Sequence, residues 1–257
     1  MTTTELIDAE IDSLAEGAFA FLERLVAEPS VVGAEAGAQA VVASELERLG
    51  FAVDLLEVPE SIASDPLAGV PQGSYAGRPV VVGRLSGGDG PTLLVNGHVD
   101  VVPAGWPGLW SSPPFEPARR DGWLHGRGAG DMKCGFAMVL LAVEAVRRAA
   151  PAALKGSLVF VSAIEEECTG NGTLASIRAG VTGDAVLLPE PTGLDLLLGG
   201  AGVLWCDVTV DGRAGHAHER HVALVEMSDR ALERVRRRGT DRAAGLVRRP
   251  KHEVMDE

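Results

Sequence analysis

Apolar residues near the start of the chain recur at helical intervals. Ile7, Ile11, Leu14, Ala18, Leu22 and Leu25 share one face and predict an opening amphipathic helix. A second helix is predicted over about Ala36 to Leu49, stopped by Gly50. Phe51 to Val58 reads as a strand, and residues 59–77, rich in Pro, Ser and Gly, as a loop excursion. Four runs, Pro79 to Leu85, Thr92 to Val102, Ser157 to Ala163 and Ala185 to Leu188, are too continuously apolar to have a wet face. They predict strands buried on both sides, with a long helix over Gly135 to Ala149 between them. Short buried strands separated by helices define an α/β layered domain with a central mixed, largely parallel sheet flanked by helices.

The pattern changes near Gly199 to Gly202. Beyond it Leu204, Cys206, Val208 and Val210 alternate with polar or bulky neighbours, which predicts a strand with one solvated face and the entrance to a second, smaller domain. From about residue 220 the chain turns basic, with ten Lys/Arg against seven Asp/Glu and no clear apolar period after Val235. The domains are therefore expected at 1–199 and 200–257.

Composition narrows the function. Of 257 residues 46% are hydrophobic and 4% aromatic, so Val, Leu and Ala must build the core. The net charge of −13 argues against nonspecific nucleic-acid binding, which needs a basic surface. The three cysteines, Cys134, Cys168 and Cys206, form no C-x-x-C pair, which fits a reducing compartment. The acidic N-terminus lacks an apolar signal core, and no apolar stretch approaches the ~18 residues needed to span a bilayer. The expectation is a cytoplasmic protein with no membrane partner.

Four clusters carry candidate chemistry. In Asn96-Gly97-His98-Val99-Asp100, residues two apart on an extended chain place His98 and Asp100 on one face. A metal-bound imidazole commonly donates its second N–H to such a partner, although an isolated H-x-D is also an ordinary surface or capping pair. Gly126-Arg127-Gly128-Ala129-Gly130-Asp131-Met132-Lys133 precedes the long helix but lacks a phosphate-loop signature, so Asp131 either caps that helix or ligates an ion. Glu165-Glu166-Glu167 follows a buried run, at the kind of strand end where ligands of α/β sheets gather; a solvated acidic turn is the plainer alternative. Glu190 stands between Pro189 and Pro191, as a stiffly held ligand or a simple turn. Taken together, His98, Asp131, Glu167 and Glu190 form an imidazole and carboxylate set without thiolates, suited to Zn²⁺, Co²⁺ or Mn²⁺. The excess of carboxylates suggests two ions sharing a bridging ligand.

The order of these motifs is recognisable. N-G-H-V-D-V-V-P, the segment Trp110 to Phe115, G-R-G-A-G-D-M-K, E-E-E-C-T-G-N-G and P-E-P-T together resemble the metallohydrolase family of acetylornithine deacetylase, succinyl-diaminopimelate desuccinylase, aminoacylase and carboxypeptidase G. The resemblance spans residues 5–219. It implies a catalytic domain at 1–199 and the start of a smaller α+β lid or dimerisation domain after it. It implies two divalent ions, Zn²⁺ or Co²⁺ foremost. His98 and Glu190 would hold one, Glu167 the other, and Asp131 would bridge them. Asp100 would orient His98, and Glu166 would be the general base. His216, in Gly212 to His218, would hold the substrate carbonyl oxygen. Glu165 receives no role. The substrate implied is an N-acyl amino acid or small peptide-like amide, and the family assembles as homodimers.

Two departures qualify these expectations. Cys134 stands where the family usually has Gly, and a thiol there either fits or crowds Asp131. Nothing after His221 resembles the family's return to the catalytic domain with its final histidine ligand, and His252 lies in the basic tail. The chain is thus expected to be C-terminally truncated or frameshifted. The alternative function is an inactive fragment that keeps partial metal binding, and an incomplete lid makes the homodimer doubtful.

Overall fold

A computed structural model describes residues 1–199. The chain divides into two compact units, Met1–Gly200 and Ala201–Glu257. The alternating segment from Leu204, Cys206, His216 and the basic tail with His252 lie outside the described residues.

The first helix, α1 (Thr3–Ala27), opens with a capping box between Thr2 and Glu5. Its predicted apolar face is half-buried at Ile7, Ile11, Leu14 and Ala18 and becomes fully buried toward the C-terminus, at Phe21, Leu22, Leu25 and Val26. Next come α2 (Ala36–Arg48) and β1 (Ala52–Leu56). The first two apolar runs give β2 (Val80–Ser86) and β3 (Thr92–His98). A short hairpin, β4 (Ala118–Arg120) and β5 (Trp123–His125), precedes α3 (Cys134–Ala149). The last two runs give β6 (Ser157–Ala163) and β7 (Ala185–Leu187), with α4 (Asn171–Arg178) between them.

Five strands form one mixed sheet in the order β1-β2-β6-β3-β7. β6 pairs in parallel with β3 and β3 with β7, while β2 runs antiparallel to both β1 and β6. Only β2 is reversed, so the sheet is largely parallel, as expected. Helices flank it: α2 packs on β1 and β2, α4 on β2 and β6, and α1 lies along α3. Among the described residues no helix is long and apolar enough to cross a membrane.

Four elements differ from the sequence pattern. The run Ala185 to Leu188 is expected to be buried on both faces, yet all three residues of β7 are exposed, because β7 is the edge strand and among the described residues pairs with β3 alone. β3 ends at His98 and not at Val102, because the chain leaves the ladder there. Val99 then donates to the Ala163 carbonyl and Val101 to that of Ser30. The β4–β5 hairpin has no apolar signature, because its strands are three residues long and largely exposed. Its signal is the Asp121-Gly122 pair, both at positive φ (53° and 81°), the dihedrals of a tight hairpin turn. Residues 59–77 are no mere excursion. They hold a short 3₁₀ turn at Glu60–Ser64 and bring Tyr75 into the interior, where none of it is exposed.

The site depends on how closely the segment before α3 approaches β3. A Cβ added to Gly97 would collide with Met132 and Phe136, and the Phe136 ring meets Phe160 of β6 at 4.8 Å between centroids. Gly97→Ala is therefore expected to destabilise the fold by about 1–3 kcal/mol through overpacking. A urea midpoint equal to that of the parent would show that Met132 yields without cost.

Candidate metal centre

The parallel strands deliver the candidate residues to one end of the sheet. His98 closes β3; the three glutamates follow β6; Glu190 follows β7; Asp131 arrives from the turn Ala129–Lys133 before α3. Binding at the carboxyl ends of strands is the general rule for open α/β sheets.

His98 is the buried hub, 1% exposed. Its Nδ1 lies 2.8 Å from the main-chain carbonyl of Asp100, which fixes the ring and leaves Nε2 facing the carboxylates. From Nε2, Asp131 Oδ1 is at 3.5 Å, Glu166 Oε2 at 3.6 Å and Glu190 Oε1 at 3.9 Å. Donor atoms of His98, Asp131 and Glu167 all lie within 4.8 Å of one another. Five of the sequence-predicted residues thus meet in one place. Cation ligation by this set has the right chemistry: hard oxygens, one imidazole and, among the described residues, no Lys or Arg paired with any of the four carboxylates.

Asp100 acts differently from the simple H-x-D picture. Its carbonyl orients His98, while its fully buried carboxylate, 3.5 Å from Nδ1, accepts the main-chain N–H groups of Glu166 (3.1 Å) and Glu167 (3.0 Å). One residue therefore ties the histidine to the glutamate turn. Asp131 makes no side-chain cap on α3, so of the two readings left open by the sequence, capping is absent. Its side chain is 61% exposed and faces His98. The Cys134 thiol turns to the Gly130 carbonyl at 3.1 Å, so it fits.

The charge balance without a cation is uneven. Burial alone would lower the His98 pKa, but the Asp100 partner and the Glu166 and Glu190 charges outweigh it and raise it to about 9. Burial, with the neighbouring carboxylates, pushes Glu190 up to about 7 against the opposing pull of His98. Burial also raises Glu167, with Asp131 adding to it.

Sequence reasoning overlooks the groups that support this site. Glu165 is fully buried and pairs with Arg78, which also grips Glu35. Lys133 is fully buried too; its Nζ donates to the Leu25 and Glu28 carbonyls at the end of α1 (2.8 and 3.1 Å), and burial lowers its pKa to about 8. No local signal in Glu165-Glu166-Glu167 tells which of the three turns inward, since the partner Arg78 lies 87 residues away.

Fold and site define a sheet-edge carboxylate and histidine centre in an α/β domain. The sequence profile of Peptidase family M20/M25/M40 matches residues 94–246, more than half of the chain, and the chain belongs to that family. It is 36% identical over 213 residues to the succinyl-diaminopimelate desuccinylase of Leptothrix cholodnii, covering 79% of this chain and 52% of that protein. The chain thus spans about half the length of the curated relative it matches. Among solved structures, a Saccharomyces cerevisiae dipeptidase matches with a TM-score of 0.56 at 23% identity, over 73% of this chain and 40% of that one. Human carnosine dipeptidase 1 matches with a TM-score of 0.54 at 23% identity, over 73% and 41%. These likenesses show the fold.

Proposed function

We propose that this chain carries the metal-binding part of a di-metal hydrolase that cleaves the amide bond of an N-acyl amino acid or small peptide-like substrate. The convergence of His98, Asp131, Glu166, Glu167 and Glu190 on one sheet edge carries this reading. His98 and Glu190 would hold one ion, Glu167 the other, and Asp131 both. Bound there, Zn²⁺ or Co²⁺ would polarise the amide carbonyl and ease ionisation of water. Glu166 is 49% exposed at its side chain, free to take a proton from water and return it to the leaving amine. Asp100 holds both the imidazole and the Glu166–Glu167 backbone in register. His216 is proposed to meet the substrate carbonyl oxygen. The chain divides, in this reading, into a catalytic portion at 1–199 and part of a lid or dimerisation domain at 200–257. A cytoplasmic location completes the proposal.

Metal binding is expected to tighten with pH. An imidazole must be neutral to ligate, and His98 is held protonated up to about 9, so the ion bound at His98 below that pH displaces about one proton. Affinity for Co²⁺ should then rise about tenfold per pH unit from roughly pH 7 to 9, with Glu190 adding a further proton below about 7. Calorimetric Co²⁺ titrations in buffers of different ionisation enthalpy measure the displaced protons. Affinity independent of pH would remove His98 from the ligand set. Amine release from N-succinyl and N-acetyl amino acids by the metal-loaded chain then separates turnover from metal binding alone.

A further inference from the structure

Glu165 occupies a left-handed conformation, φ 59°, which disfavours side chains other than Gly by about 1–2 kcal/mol. Its carboxylate turns into the protein while those of Glu166 and Glu167 face the site, and every oxygen it has is engaged. Oε1 accepts from the Arg78 guanidinium at 2.9 Å. Oε2 accepts from the Tyr75 hydroxyl at 2.9 Å and from the Thr169 hydroxyl at 2.8 Å. Its main-chain carbonyl accepts from the N–H groups of Thr169 (2.9 Å) and Gly170 (2.7 Å).

Those partners are themselves fixed. Arg78 forks onto Glu35 at 2.8 and 2.6 Å and donates to the Ser74 carbonyl at 3.1 Å. The Tyr75 oxygen accepts from the Asn171 amide at 2.8 Å. Asn171 in turn clasps Gly69, accepting its N–H at 2.9 Å and donating to its carbonyl at 3.0 Å. On the other side of the turn, the Asp100 carboxylate takes the next two N–H groups.

We propose that the buried node of Arg78, Tyr75 and Glu165 positions the turn that carries Glu166 and Glu167, which makes residues 69–78 a brace for the candidate metal centre. The geometry leaves the turn little alternative. Successive Cα atoms are about 3.8 Å apart. Pinning the Glu165 carboxylate on one side and the following two amides on the other sets the directions in which the next two side chains leave the backbone. All three node residues act through Glu166 and Glu167, so they are positioning residues. What the turn is positioned for rests on the proposed function; the positioning itself does not.

The test uses the metal-free 257-residue chain with Tyr75→Phe, which keeps the ring and removes the hydroxyl, and Glu165→Gln, which keeps the shape. Arg178→Gln is the control. It breaks the exposed pair with Asp65 (2.6 Å), anchoring the same excursion to α4 without touching the node. Hydrogen exchange is read by NMR at the Glu166 and Glu167 amides and at Val159 and Val161 of β6. Both node variants should speed exchange at Glu166 and Glu167 about tenfold while the β6 amides and the control stay at parent rates. No change at the turn, an equal rise in β6, or the same rise in the control would overturn the proposal.

A Co²⁺ titration supplies the second readout. If the parent chain binds Co²⁺, Tyr75→Phe should weaken the ion that depends on Glu167 about 10–100-fold, and unchanged affinity would overturn the proposal. A parent chain that binds no Co²⁺ would sink the metal reading, and exchange alone would then decide the node.

Discussion

Arg78→Met is expected to lower the stability of the 1–199 unit by about 3–5 kcal/mol, the usual effect of removing one partner from a buried charge group. The Arg78 side chain is 6% exposed, and the Glu35 and Glu165 side chains it joins are completely buried. Methionine fills most of the volume but leaves two carboxylates facing each other with no counter-charge. Tyr75 cannot replace it, since the hydroxyl donates only one proton. Burial also pushes the Tyr75 phenol up to about 12, so at neutral pH it carries no charge to add to the problem. A typical domain has about 5–15 kcal/mol in total, so the variant should unfold at a much lower urea concentration. Arg78→Lys should fall between parent and Met, because an ammonium keeps the charge but cannot fork onto Glu35. A Met variant within about 1 kcal/mol of the parent would mean that the two glutamates do not depend on Arg78.

How far the molecule can be read from its sequence follows from the range of each interaction. The buried strands are legible because continuous apolar runs such as Ser157–Ala163 have few other ways to be satisfied, and β6 occupies that span. The site is legible at His98, Asp131, Glu166, Glu167 and Glu190 because each follows or precedes a readable element, and the structure brings these five together. Its support is not legible. Arg78 and Glu165 lie 87 residues apart, and nothing local to Gly77-Arg78-Pro79 signals a buried cation. Lys133 reads only as part of a glycine-rich turn, although its partners are carbonyls 105 and 108 residues away. Local pattern reveals which residues face a site. It does not reveal which distant backbone or charge will hold them there.

The largest effect on turnover is expected at Glu166, and comparison with its neighbour separates their roles. Glu166→Gln should reduce kcat by about 10²–10⁴-fold, since an amide cannot accept and return a proton in the reaction. Metal content should remain at the parent level, because the substituted residue keeps its main-chain N–H on the Asp100 carboxylate and the proposed ligands are untouched. Glu167→Gln should do the reverse at the metal: that carboxylate would no longer offer an anionic oxygen beside Asp131 and His98, and one of two ions should be lost. The comparison is made in this chain if it releases amine, and otherwise in a full-length relative carrying the same E-E-E-C-T-G-N-G turn. Metal content is counted by atomic emission and turnover by amine release. Near-parent kcat in Glu166→Gln would remove it as the base. Loss of metal from Glu166→Gln with retention in Glu167→Gln would exchange the two assignments. The Asp100 tie makes this exchange a structural question as well, because both backbone amides are anchored to the same carboxylate at nearly equal distances, 3.1 and 3.0 Å. What distinguishes the neighbours is therefore the direction of the side chain alone, with Glu167 directed toward Asp131 and Glu166 left half open to water.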